Sequence, residues 1–142
     1  MFTTHGLNHI TLHVQDLERS LHFYTEILRM RLVQQGPDYA YLESGNTWFA
    51  ISHQPSCAAV QAQKGVHHLA LTVQREDFEA AVEHLRAHNV PIVREPILRG
   101  IGQAVNFLDP DGLQWEFHCS NLAERMTVLN EMEQKKWGSK HV

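Results

Sequence analysis

Eleven of the 142 residues are histidine, and four of them stand in short stretches that copy each other. In "LNHITLHV" (7–14), His9, Thr11 and His13 alternate with Ile10, Leu12 and Val14. In "HHLALTV" (67–73), His68, Ala70 and Thr72 alternate with Leu69, Leu71 and Val73. Side chains two apart share one face of a strand, so each stretch sets a histidine beside small or polar residues and turns its aliphatics the other way. A third stretch, "LQWEFH" (113–118), turns Trp115 and Phe117 inward and leaves Gln114, Glu116 and His118 on the opposite face. Two imidazoles and one carboxylate form a ligand set for a first-row divalent ion and leave coordination positions open for substrate or water. His9, His68 and Glu116 are the candidate ligands. Each of them alone reads equally as an ordinary strand residue, partly buried and hydrogen-bonded. The repeat aligns His9 with His68 without assuming a metal, and on the pattern alone the metal reading and the structural one stand side by side. His67 shares a face with Leu69 and Leu71 and reads as structural. His13 and His118 fit either a place behind the ligands or a solvated strand end. His84 and His88, one turn apart on a polar helix, and His141 in the tail read as incidental.

The elements that must position these residues also repeat. Asp16 is a candidate N-cap for a helix with Leu17, Leu21, Tyr24 and Leu28 at helical spacing. "AYLES", "GN" and "TWFAIS" read as a hairpin, and residues 54–65 as a connection without periodicity. The second copy follows with a helix carrying Phe78, Val82 and Leu85, a strand near "PIVREPI", and a hairpin in "QAVNFLDPDGLQWEFH" with Asp111-Gly112 in the turn. Laying Gly112-x-x-Trp115 on Gly45-x-x-Trp48 makes Phe49 the mate of Glu116, so the repeat offers three protein ligands and no fourth. Leu122, Met126 and Leu129 give a further helix over 121–136. The expected fold is α+β: two βαβββ modules (about 5–53 and 66–119, joined by 54–65) and a C-terminal helix in one domain, 1–142, whose sheets line a metal-containing cleft.

A formal net charge of −4 and a pI near 6.2, with scattered basic residues, give no reason to expect nucleic acid. Cys57 and Cys119 are too far apart for a disulfide framework and read as free thiols of a reducing compartment. The opening "MFTTHGLNHI" lacks the pattern of a secretion signal, and the apolar runs are far shorter than a membrane span. A soluble cytoplasmic protein is expected.

Taken together, "LNHITLHVQDLERSLHFYTEILRMRLV", "YLESGNTWFAIS", "VHHLALTV" and "NFLDPDGLQWEFHCSNLAERM" resemble the vicinal oxygen chelate superfamily, which includes glyoxalases, bleomycin-binding proteins and extradiol dioxygenases. The resemblance covers about nine tenths of the chain, and within the superfamily it points to the fosfomycin-resistance enzymes. It implies a swapped homodimer with sites at the subunit interface and a divalent metal, Mn2+ first, with Fe2+, Zn2+ or Ni2+ as alternatives. It also implies His9, His68 and Glu116 as ligands, and a small electrophile opened by glutathione, another thiol or water. Residue by residue, Thr11 matches a threonine that contacts the bound antibiotic, and Arg125 an arginine near its phosphonate. Trp48 and Tyr41 match aromatic positions lining the pocket. Asp38 lies near the acidic base of the water-using branch, although "GPD" reads first as a turn. The loop from Glu95 to Asn106 departs from the pattern, with Pro96, Gly100, Ala104 and Asn106 where thiol transferases carry lysine, serines and a tyrosine. Asn106 is the substrate-binding candidate there, and Arg94 and Arg99 are the available charges. The other readings are glyoxalase, lyase or isomerase chemistry, dioxygenase chemistry at the same metal, and a metal-free drug-binding module.

Overall fold

Asp16 separates the first strand from the first helix: its backbone is extended, and its carboxylate accepts the Arg19 amide at 3.0 Å, capping a helix end that otherwise leaves that donor free. In the computed structural model, which describes Met1, Thr3 and residues 5–56, 65–99 and 101–140, strand β1 (His9–Val14) precedes this cap. Helix α1 (Leu17–His22) follows and widens into a π turn over Phe23–Ile27. Cys57, most of the 54–65 connection, Gly100 and His141 lie outside the described residues. Strands β2 (Arg31–Gln35), β3 (Tyr39–Ser44) and β4 (Thr47–His53) complete the first module. The second copies it: β5 (Leu69–Thr72), a 3-10 turn leading into α2 (Phe78–Ala87), then β6 (Ile92–Arg99), β7 (Gly102–Leu108) and β8 (Gln114–His118). Helix α3 runs over Leu122–Lys140.

The two sheets repeat strand for strand. Their orders are β1-β4-β3-β2 and β5-β8-β7-β6; in each the first strand lies parallel to the last and the other pairs are antiparallel. Two βαβββ modules are therefore present, as the sequence repeat requires. Burial follows the expected alternation. In β1, Val14 is buried and Ile10 and Leu12 half-buried, while His9, Thr11 and His13 are exposed. In β5, Leu69 and Leu71 are half-buried, and Ala70 and Thr72 are exposed. The core of the first module gathers Leu17, Phe23, Tyr24, Leu42 and Ile51; that of the second gathers Phe78, Leu85, Phe107 and Trp115.

By contacts the chain divides into two units, Met1–Ala62 with Asp109–Leu113, and Gln63–Leu108 with Gln114–Val142. The turn between β7 and β8 thus belongs with the first unit, and buried acids hold it there. Tyr24 Oη donates to Asp109 Oδ2. Asp111 Oδ1 accepts the Gln15 amide at 3.1 Å and Arg19 Nη2 at 3.4 Å, and its Oδ2 accepts Ser20 Oγ at 3.3 Å. Asp109 Oδ1 accepts the amides of Asp111 and Leu113, both at 2.9 Å. Such donors are what make a buried carboxylate tolerable. Gly112 closes the turn at φ +88°, a conformation glycine adopts without steric cost.

The first turn of α3 is tied down at its start. Asn121 Oδ1 accepts the Glu124 amide at 2.9 Å, its Nδ2 donates to Glu124 Oε1 at 3.2 Å, and Arg75 Nη2 donates to Glu124 Oε2 at 2.7 Å. The hydrogen bond to Glu124 and its charge hold Arg75 protonated to a higher pH than is usual for arginine.

Candidate metal centre

In the first unit the open face of the sheet carries an aromatic wall. His9 pairs with Trp48 across β1 and β4, and their rings stack with centroids 4.3 Å apart. Tyr41 meets Trp48 edge-on at 5.2 Å. Thr11 and Tyr41 both pair with Ala50, one from each side. His9 Nδ1 lies 2.7 Å from Asn8 Oδ1; a carbonyl oxygen accepts only, so Nδ1 is the donor, which in the neutral ring leaves the lone pair on Nε2. A hydrogen bond to the other ring nitrogen in this way is what orients a histidine ligand.

Asp38 is not on this wall. It is exposed in the bend before β3, where its backbone carbonyl accepts the His53 amide at 2.8 Å. The register runs from His9 beside Trp48 to Val14 beside His53, so Asp38 sits about 16 Å along the sheet from the His9 end, five residues at roughly 3.3 Å each. The turn reading of "GPD" describes it.

In the second unit Glu116 lies on β8 between Ala70 of β5 and Asn106 of β7, and is 7% exposed. Its Oε1 faces His68 Nε2 at 3.8 Å. Its Oε2 accepts from His118 Nδ1 at 2.8 Å, and His118 Nε2 lies 2.7 Å from Ser120 Oγ. His68 Nδ1 is 2.8 Å from His67 Nδ1, so His67, expected to be structural, is the polar neighbour that can fix the His68 tautomer. Arg125, on the first turns of α3, lines a cleft of about 340 Å³ with Ala70, Thr72, His118, Ser120 and Asn121.

The register corrects one detail of the repeat. Ile10 pairs with Phe49 and Leu69 with Trp115, while Thr11 pairs with Ala50 and Ala70 with Glu116. The mate of Glu116 is therefore Ala50, and Phe49 is the mate of Trp115. Matching the two glycines misled by one residue because the hairpin turns differ in length. Ser44 pairs with Thr47 across a two-residue turn, whereas Leu108 pairs with Gln114 across Asp109–Leu113. Ala50 offers no ligand atom either, so the repeat still supplies three. The same register makes Tyr41 and Asn106 equivalent, each beside the Ala50 or Glu116 position.

The spacing of one pair, His68 with Glu116, is compatible with a shared divalent ion. Donors each about 2.1 Å from a shared metal stand roughly 3–4 Å apart, and the His68–Glu116 pair is at 3.8 Å. A buried carboxylate calls for a cationic partner. Each unit also holds a buried polar atom with no hydrogen-bond partner among the described residues: Trp48 Nε1 beside His9, and Asn106 Oδ1 beside Glu116. A buried polar atom without a partner calls for an explanation, and a bound water or polar ligand supplies one. Among the described residues of one chain, no group of three His, Cys, Asp or Glu side chains is gathered closely enough to hold a metal.

The family model of the glyoxalase/bleomycin resistance protein/dioxygenase superfamily matches residues 6–117. The chain belongs to this superfamily. Proteins similar to the chain include a glutathione transferase, metallothiol transferases and fosfomycin resistance proteins. The glutathione transferase FosA of Serratia marcescens is 36% identical over 127 residues, 89% of each chain. The metallothiol transferase FosB of a Staphylococcus epidermidis strain is 32% identical over 122 residues, covering 85% of this chain and 86% of that one. Among solved structures, the fosfomycin resistance protein FosX of Listeria monocytogenes, complexed with Mn(II) and sulfate, superposes with a TM-score of 0.75 at 25% identity, covering 88% of this chain and 98% of its own. FosX of Mesorhizobium loti gives 0.73 at 27%, over 87% and 99%. No described helix is long and apolar enough to cross a membrane.

Sequence reasoning passed over Ser120 and left His118 undecided. The signal was present in the spacing: 116, 118 and 120 recur at the strand period on one face.

Proposed function

We propose that this chain is a divalent-metal enzyme that adds a thiol or water to a small, oxygen-bearing electrophile of the fosfomycin kind, with His9, His68 and Glu116 as the protein ligands. The observation that carries this reading is the pairing of His68 Nε2, just before β5, with the buried Glu116 Oε1 on β8, matched by His9 at the equivalent place of the first module. When bound, a divalent ion, Mn2+ by analogy with the FosX complex, supplies the charge that stabilises an oxyanion as the electrophile opens. The residues of the chain do the rest. Arg125 attracts an anionic group at the mouth of its cleft. Thr11 and Asn106 present hydroxyl and amide groups to the substrate's oxygens, and Tyr41 and Trp48 wall off water from its apolar side. Glutathione or another thiol is the proposed co-substrate.

The site is proposed to close across a homodimer, with His9 from one copy and His68 with Glu116 from the other. A purified sample then holds about one divalent ion per chain, and His68→Ala and Glu116→Ala each lose most of it. Metal binding unaffected by both changes rules out the ligand set. Assays of fosfomycin with glutathione, with a second thiol and with water separate transferase from hydrolase; no turnover in any of them favours lyase or dioxygenase chemistry. Mixing His9→Ala with Glu116→Ala protein restores one intact site per heterodimer if ligands are shared between chains. Intrachain sites remain damaged in every pairing.

A further inference from the structure

The Glu116 carboxylate is the end of a chain of hydrogen bonds. Oε2 accepts from His118 Nδ1 at 2.8 Å, and His118 Nε2 meets Ser120 Oγ at 2.7 Å. An ionised carboxylate only accepts, so Nδ1 carries the ring proton; in the neutral ring Nε2 then accepts, and the Ser120 hydroxyl donates. With a partner at each nitrogen, the imidazole is held in one tautomer and one rotation.

The outer end of this chain is itself fixed. Gly102, at the start of β7, lies so close to Ser120 that a Cβ built there would stand 2.7 Å from Ser120 Cβ and 3.1 Å from its backbone nitrogen and Oγ. Cys119 and Gln103 add two bonds at the same place, Gln103 N to Cys119 Sγ at 3.1 Å and Cys119 N to Gln103 O at 3.2 Å. Ser120 is therefore seated against a backbone with no room for a side chain, and His118 is levered from there onto Glu116.

We propose that Ser120 and His118 are positioning residues that hold Oε2 of Glu116, so that Oε1 is the oxygen presented to His68 and to the ion the pair would share. The proposal rests on the metal reading above and goes beyond it in assigning the strength of metal binding to two residues outside the ligand set. Freed of His118, a glutamate that is 7% exposed can rotate about its terminal torsion, and the geometry that pairs it with His68 is lost.

The test is Mn2+ affinity, read from the EPR signal of free Mn2+ during titration of the full-length protein, with melting of the EDTA-treated proteins in parallel. His118→Ala weakens binding about 10- to 100-fold, the usual cost of losing an outer partner of a ligand. His118→Asn, whose side-chain amide can stand where Nδ1 stood, recovers much of the loss. Ser120→Ala and Gly102→Ala weaken binding in the same direction by smaller factors, the second without removing any polar group. His118→Ala with unchanged Mn2+ affinity overturns the relay while leaving the ligand set standing. His118→Asn no better than His118→Ala, with both melting early without metal, overturns it in favour of a structural role. A natural protein that takes up no Mn2+ overturns the relay together with the metal reading.

Discussion

Replacing Tyr24 by phenylalanine removes one oxygen from a ring that is 1% exposed and takes a hydrogen bond from Asp109, itself 6% exposed. Asp109 Oδ1 keeps the Asp111 and Leu113 amides at 2.9 Å each, so the turn is weakened on one oxygen only. A hydrogen bond to a buried charged group is worth about 1.5–3 kcal/mol. At about 2–4 °C per kcal/mol for a chain of this size, the melting temperature falls by roughly 3–12 °C. The assay is thermal unfolding followed by circular dichroism at one fixed protein concentration, with a double-mutant cycle through Asp109→Asn. The cycle separates the Tyr24–Asp109 term from changes each residue makes alone. Its coupling should carry most of the loss, because the two side chains meet directly. A Tyr24→Phe protein melting within about 1 °C of the natural one, or a cycle with no coupling, refutes the claim that this bond holds the Asp109–Leu113 turn to the first unit. The consequence for the site is direct, since that turn leads into β8 and Glu116.

Asp16→Ala removes the cap of α1 and should cost about 1 kcal/mol in urea unfolding, with no change in metal content. Asn106→Leu removes a buried Oδ1 that has no partner among the described residues; the melting temperature is expected to hold or rise, while turnover falls if that oxygen meets substrate. Arg86 donates to Glu95 Oε2 at 2.5 Å, and this bond holds the Glu95 carboxyl below its ordinary value of 4.5. A folded value below the unfolded one means that the pair's contribution is present above about pH 4.5 and is lost as the pH falls through the folded value. An NMR titration should show Glu95 returning toward its ordinary value in Arg86→Gln; because both groups are exposed, stability should move little.

Local period made much of the architecture legible. Alternation over 9–14 and 68–73 predicts two strands and names their open faces. Helical spacing from Leu17 and from Phe78 predicts the helices that follow, and the fixed offset between the copies predicts a repeated sheet. Asp16 was readable as a cap because that role needs only a short acceptor before a helix. Asp38 was less readable: an acidic residue near a matching place does not reveal which end of the sheet it occupies, and only the pairing of β3 with β4 put it beside His53.

The residue types and spacing of this chain by themselves determined two equivalent histidines and a carboxylate on strand faces, because the two-residue strand period is a property of the backbone. Tertiary structure decided everything that depends on how strands meet. The mate of Glu116 is Ala50 because turn length sets register. Glu116 is buried because β5 and β7 flank it, and His118 and Ser120 become its supports because a residue without a side chain, Gly102, lets Ser120 approach. Contacts between residues far apart in sequence arise from packing, and no local pattern records them.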